Sequence, residues 1–115
     1  MMQSPPLGLS SERLNTVLTS LKQHLIELYG DRLEQLVLYG SQARGDATPD
    51  SDIDVLVVLN GVVNPADEIT RTGHLTAALS LDYSVVISCV FIAADRYLTE
   101  QSPLLLNVRR EGVRV

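Results

Sequence analysis

The chain has 115 residues and a net charge of −5, with 45% of its residues apolar and 20% charged. That length builds one domain around one core and not two, so residues 1–115 are expected to form a single unit. The acidic balance argues against a binder of long nucleic acid, which needs surplus lysine and arginine to neutralise phosphates. The one cysteine, Cys89, excludes an internal disulfide.

Residues 1–9, with Pro5-Pro6, read as a loose N-terminal arm that lacks the basic start and apolar core of a leader peptide. A helix is expected next, with Ser10 as N-cap and Leu9 and Leu14 placed as a hydrophobic staple. Leu14, Val17, Leu18, Leu21, Leu25 and Leu28 recur at helical spacing as one apolar stripe, and Gly30 closes the helix. His24 lies beside that stripe without a partner at metal-ligand spacing, so it reads as a surface or boundary residue.

A strand from about Leu33 to Tyr39 delivers the chain to Gly40-Ser41-Gln42-Ala43-Arg44-Gly45. Glycine at 40 permits a sharp turn or the close approach of a ligand. Ser41 is a good N-cap, and Gln42 to Arg44 make one helical turn before Gly45 stops it. A helix N-terminus just past a strand presents backbone N–H groups that suit a phosphate. Pro49 disfavours helix at Thr48 and helps to end this segment.

The strand that follows, Ile53 to Leu59, is entered through Ser51-Asp52-Ile53-Asp54. Two aspartates two apart on a strand share one face, with Ile53 and Val55 on the other. Side by side they repel each other unless a cation sits between them. Mg²⁺ answers that need, since it is commonly held by one or two carboxylates plus substrate phosphates. One end of the motif thus suits phosphates, and the other suits the metal that phosphates carry. Past Asp54 the strand is apolar on both faces, as in a sheet covered on both sides by helices.

Asn60-Gly61 ends the strand. A helix should start near Pro65 with Asn64 as N-cap, and Asp67 and Glu68 in its first turn suit the helix dipole. Gly73 weakens its interior by about 1 kcal/mol relative to alanine, and His74 reads as structural or exposed. Tyr83 to Ile92 is the third expected strand, with Cys89 as a buried thiol. Val85 to Ala94, the longest apolar run, is broken by Ser88 and is too short to span a bilayer, so a cytoplasmic location is expected. A short helix over Asp95 to Gln101 follows, then one begun by Ser102-Pro103, with Leu104, Leu105 and Val108 on one side and Gly112 as its stop. Arg109 and Arg110 sit in its last turn, where positive charge is favoured. Val113 to Val115 adds a short edge strand.

Gly40-Ser41-x-Ala43-Arg44-Gly45 followed by Ser51-Asp52-x-Asp54 resembles the signature of the minimal nucleotidyltransferases of the DNA polymerase β-like superfamily. The resemblance implies an α/β (α+β) fold with a small mixed sheet and helices. It implies Mg²⁺-dependent transfer of a nucleoside monophosphate from a nucleoside triphosphate, ATP first, to a hydroxyl of a protein or small acceptor. On it, Gly40 and Ser41 hold the triphosphate, and Asp52 and Asp54 are the catalytic metal ligands. Arg44 is a candidate phosphate contact, with an ion pair to Asp46 or Asp50 as the alternative. The family places a third carboxylate on the next strand, and the apolar pattern puts that position at Ser88. Asp82 has the same strand parity but lies six residues away, roughly 20 Å along an extended chain. Two functions follow: an antitoxin-like transferase that modifies a protein partner, or a catalytically weak nucleotide- or partner-binding module that occludes a small helical HEPN-like protein.

Overall fold

The structure is a computed structural model that describes residues 11–45, 47 and 52–115. The N-terminal arm, the Ser10 cap with its Leu9 staple, and the expectations placed on Asp46, Thr48, Pro49, Asp50 and Ser51 lie outside the described residues. Helix α1 spans Ser11–Tyr29, β1 Leu33–Tyr39, α2 Ser41–Arg44 and β2 Ile53–Leu59. These are followed by α3 Pro65–Tyr83, β3 Ile87–Ala93, α4 Ala94–Thr99, α5 Pro103–Glu111 and β4 Val113–Arg114. The strand order is β3-β2-β1-β4. β1 runs antiparallel to β2 and β4, whereas β2 and β3 are parallel. The sheet is therefore mixed, as expected, and α3 is the crossover that a parallel pair requires.

Both faces of the sheet are covered. Val17, Leu21 and Leu25 of α1 and Leu79 of α3 pack with Leu36, Leu38, Val55 and Val57 on one side. Leu105 and Val108 of α5 pack with Val37, Leu56, Val58 and Ile92 on the other. Because β2 is buried on both faces, it reads as a continuous apolar run after Asp54. No helix among the described residues is long and apolar enough to cross a membrane.

Three elements differ from the sequence reading. The third strand begins at Ile87, not Tyr83, because α3 continues through Tyr83 and ends at Ser84 with φ +54°. Leu75, Leu79 and Tyr83 are spaced one helical turn apart and pack against the α1-side core, so tertiary contact carries the helix past the expected boundary. Asp82 is therefore an exposed helical residue, and its strand parity with Ser88 does not exist. Leu28 is exposed and Tyr29 buried, since a 3.6-residue period places position 29, not 28, one turn after Leu25. Finally, Gly40 is the N-cap of α2 and Ser41 its first helical residue. The remaining caps stand as read: Asn64 accepts from the amides of Ala66 and Asp67, and Ser102 accepts from Leu105. His24 and His74 are exposed, and Cys89 is half-buried, with burial pushing its thiol up to about 12.

Glu68 is more than a first-turn acid. It is buried between α1 and α3, where it accepts from the Tyr29 hydroxyl at 2.5 Å and from Arg71 Nε at 3.0 Å. Burial alone would raise its carboxyl, but the Tyr29 and Arg71 hydrogen bonds and the nearby positive charge outweigh it and hold the group below the usual carboxylate value. A depressed folded value contributes stability above the unfolded pKa that is lost as pH falls through the folded one. Glu68→Gln should therefore cost about 1–3 kcal/mol at neutral pH. The deficit against wild type should shrink as pH drops below roughly 4 in denaturant titrations. A deficit independent of pH would exclude the ionised role.

Candidate active site

Strand β1 ends at Tyr39, and Gly40 turns the chain with φ +76° and ψ −156°. Its carbonyl accepts from the amides of Ala43 and Arg44, each at 3.1 Å, which winds the single turn of α2. Gly45, at φ +82°, stops it, with its amide bonded to the Ser41 carbonyl at 3.0 Å. The turn is a local product of two glycines at positive φ, as the sequence implied.

The sheet brings the second half of the motif to this turn. Asp54 is the in-register neighbour of Tyr39 on one side and of Ser88 on the other. The three side chains form a row on the α5 face, while Ile53 and Val55 point into the α1-side core. A Cβ built on Gly40 would lie 2.7 Å from Asp54 Oδ2. The glycine turn and the aspartate are thus in direct contact. This is a further reason for glycine at 40, beyond the φ angle, and one that the sequence pattern did not contain.

Burial first, and then the charge of Asp52, push the Asp54 carboxyl above its ordinary value. Burial, Asp54 and then Cys89 likewise raise the Tyr39 phenol, which stays protonated at neutral pH. Asp52 is exposed just ahead of β2. Among the described residues no ion pair involves either aspartate, and no third His, Cys, Asp or Glu completes a metal-binding group with them. Two adjacent carboxylates whose mutual charge is unfavourable are a hard-oxygen donor set, which fits a Mg²⁺ that draws its other ligands from substrate phosphate and water.

Arg44 bonds through Nη1 to Glu111 Oε2 at 3.2 Å, joining the end of α2 to the end of α5. Nothing in the sequence pattern announced Glu111, which lies 67 residues away from its partner. Ser88 is half-buried on the Asp54 row, so its alignment by apolar pattern places it beside that aspartate.

The nucleotidyltransferase domain family matches residues 18–95. The chain belongs to that family. The chain is 33% identical over 79 residues to the protein adenylyltransferase MntA of Thermococcus cleftensis, covering 69% of this chain and 78% of that protein. It is 38% identical over 101 residues to MJ1305 of Methanocaldococcus jannaschii, covering 88% of this chain and 60% of that one. Among solved structures, a toxin–antitoxin with AMP-PNP superposes with a TM-score of 0.57 at 19% identity, covering 92% of this chain and 72% of that chain. A mutant MntA-HpeT toxin–antitoxin gives a TM-score of 0.55 at 18% identity, covering 82% and 68%. At such identities these structures bear on the fold, which is the one the family signature implied.

The Gly40 contact carries a direct test. Gly40→Val should abolish nucleotide binding even with both aspartates in place, because its β-branched side chain collides with Asp54 and opposes positive φ. Normal binding by this variant in calorimetry would place the cradle elsewhere.

Proposed function

We propose that the domain transfers a nucleoside monophosphate, AMP from ATP, to a hydroxyl of a protein partner. The reading rests on one observation above the others: the Gly40 turn and Asp54 are in contact where the end of β1 meets the start of β2, which would set a phosphate cradle beside a metal ligand. Gly40 and Ser41 hold the triphosphate, and Arg44 contacts its oxygens. Asp52 and Asp54 hold Mg²⁺, which when bound offsets phosphate charge and favours departure of pyrophosphate. The acceptor oxygen bonds to the α-phosphorus, the bond from that phosphorus to the β-bridging oxygen breaks, and the hydroxyl proton must leave.

Ser88 supports a second reading. With a hydroxyl in place of the family's third carboxylate, neither a third metal ligand nor a base stands on that row. The proton then needs a base from the acceptor or partner side, or turnover fails and the domain binds nucleotide and partner only. The MntA relative and the toxin–antitoxin structures support a protein as that partner; we take it to be small, helical and HEPN-like, in a cytoplasmic setting that supplies ATP and Mg²⁺. Incubation with α-labelled ATP, Mg²⁺ and lysate separates the two readings. Covalent label on a protein supports transfer, and Mg²⁺-dependent binding without label supports the binding module.

A further inference from the structure

We propose that the outer edge of β3 is where two copies of this chain pair, strand against strand, about a two-fold axis at Val90. β3 closes one end of the sheet, and among the described residues no strand pairs with its outer side. Its inner side is fully used, since the parallel ladder with β2 runs from Ile53 opposite Ile87 to Leu59 opposite Ala93. The Ile53 amide donates to the Val86 carbonyl at 2.8 Å, which sets the phase of that ladder. Ser88, Val90 and Ile92 therefore turn their backbone groups toward β2, and Ile87, Cys89 and Phe91 turn theirs outward.

The edge lacks the usual protection. Ile87–Ala93 contains no charged residue and no proline, and it pairs with β2 without a shift in register. Edges that stay single in solution are blunted by a lysine, a proline, a bulge or a covering helix. Here a cleft of about 310 Å³ runs beside residues 89–92. Pro65 and Ile69 of α3 and Leu104 and Leu105 of α5 line it, so its walls come from both helical layers. Ile69 is 55% exposed, and Val86, just ahead of the strand, 59%.

Backbone polarity and charge select the occupant. A row of outward amides and carbonyls is satisfied by an extended segment, not by a helix whose own backbone groups are already paired. The only charged residues lining the cleft, Arg96 and Glu100, are paired with each other, so the segment should be uncharged as well. β3 itself meets that requirement. At a net charge of −5, two copies repel each other broadly, and this edge lets them meet with no like charges opposed. An antiparallel pair of identical strands obeys a two-fold axis. Full overlap of Ile87–Ala93 sets Val90 opposite Val90 of the second copy, and Cys89 opposite its Phe91. The Val90 pair is then a non-hydrogen-bonded one, with Cα atoms roughly 4.5 Å apart. Two four-stranded sheets become one, flanked at the seam by Ile69 and Leu104.

Sedimentation velocity on the full chain from about 5 to 500 μM should show a monomer–dimer equilibrium with a Kd of roughly 1–100 μM, the weak end expected of a small edge contact. Cys89→Pro removes an outward amide that the ladder with β2 does not use. It should leave the circular dichroism unchanged and weaken the dimer by about tenfold or more. Should that variant fail to fold, cross-linking reads the axis. In a Cys89→Ser background, Val90→Cys should give a covalent dimer on mild oxidation, because its Cα separation lies within disulfide reach, while Ile26→Cys on α1 should not. A wild type that stays monomeric at the highest concentration overturns the proposal and leaves the edge to a strand of another protein. A dimer that a folded Cys89→Pro does not weaken overturns it too. So does a Val90→Cys variant that cross-links no faster than Ile26→Cys.

Discussion

Ser88→Asp should raise nucleotide transfer by about 10²–10⁴-fold, the range that a positioned general base contributes. The parallel ladder sets residues 54 and 88 side by side, on strands roughly 4.8 Å apart, with their side chains on the same face. Ser88 is half-buried and faces the α5 side, so the new carboxylate joins the Asp54 row and not the α1-side core. Without metal it adds a second like charge next to an Asp54 that is already hard to ionise, so the apo variant should melt below wild type. Mg²⁺ should return much of that loss, because an ion that binds only the folded state stabilises it by mass action. Melting curves with and without Mg²⁺, together with label transfer, read both effects. A melt lowered equally in both conditions would place residue 88 away from the metal and end the idea.

Asp54→Ala should abolish Mg²⁺-dependent nucleotide binding while leaving the fold intact. The carboxylate is both the half-buried member of the pair and the one touching the glycine turn, so no neighbour replaces it. Its folded pKa is raised by burial and by Asp52. For such a group, stability present below the ordinary carboxylate pKa is lost as pH rises through the higher folded value. At neutral pH the ionised side chain therefore opposes folding, and the metal-free variant should melt higher than wild type. This is the stability cost expected of a functional site. Calorimetry with and without Mg²⁺ measures the binding, and equal wild-type affinity in both would remove the metal from the site.

What could be read in advance followed from local chemistry. The stripe from Leu14 to Leu25, the Asn64 and Ser102 caps, and the Gly40 and Gly45 turn all depend on neighbours within a few residues. The in-register placement of Ser88 was legible for a different reason, since an apolar run on a buried parallel strand leaves few alignments with its neighbour. What escaped was nonlocal. Glu68 looks like any first-turn acid until α1 is laid over α3 and the Tyr29 hydroxyl arrives. The start of β3 was placed too early because Val85-Val86-Ile87 looks like strand from its outset, while the packing of Leu79 and Tyr83 favours helix to the last turn. The pairing of Arg44 with Glu111 depends on how β4 closes the sheet, which no local window contains.

The contact between Gly40 and Asp54 ties the fates of two positions fourteen residues apart in sequence, roughly four helical turns' worth of chain. With an aspartate at 54, a Cβ at 40 would stand 2.7 Å from its carboxylate oxygen, so the Asp54 side chain must turn aside before any residue but glycine fits there. Once the aspartate is gone, that part of the constraint disappears, and only the positive φ still favours glycine. The two losses are therefore epistatic, with Gly40→Ala costing more stability in the wild-type background than in Asp54→Ala.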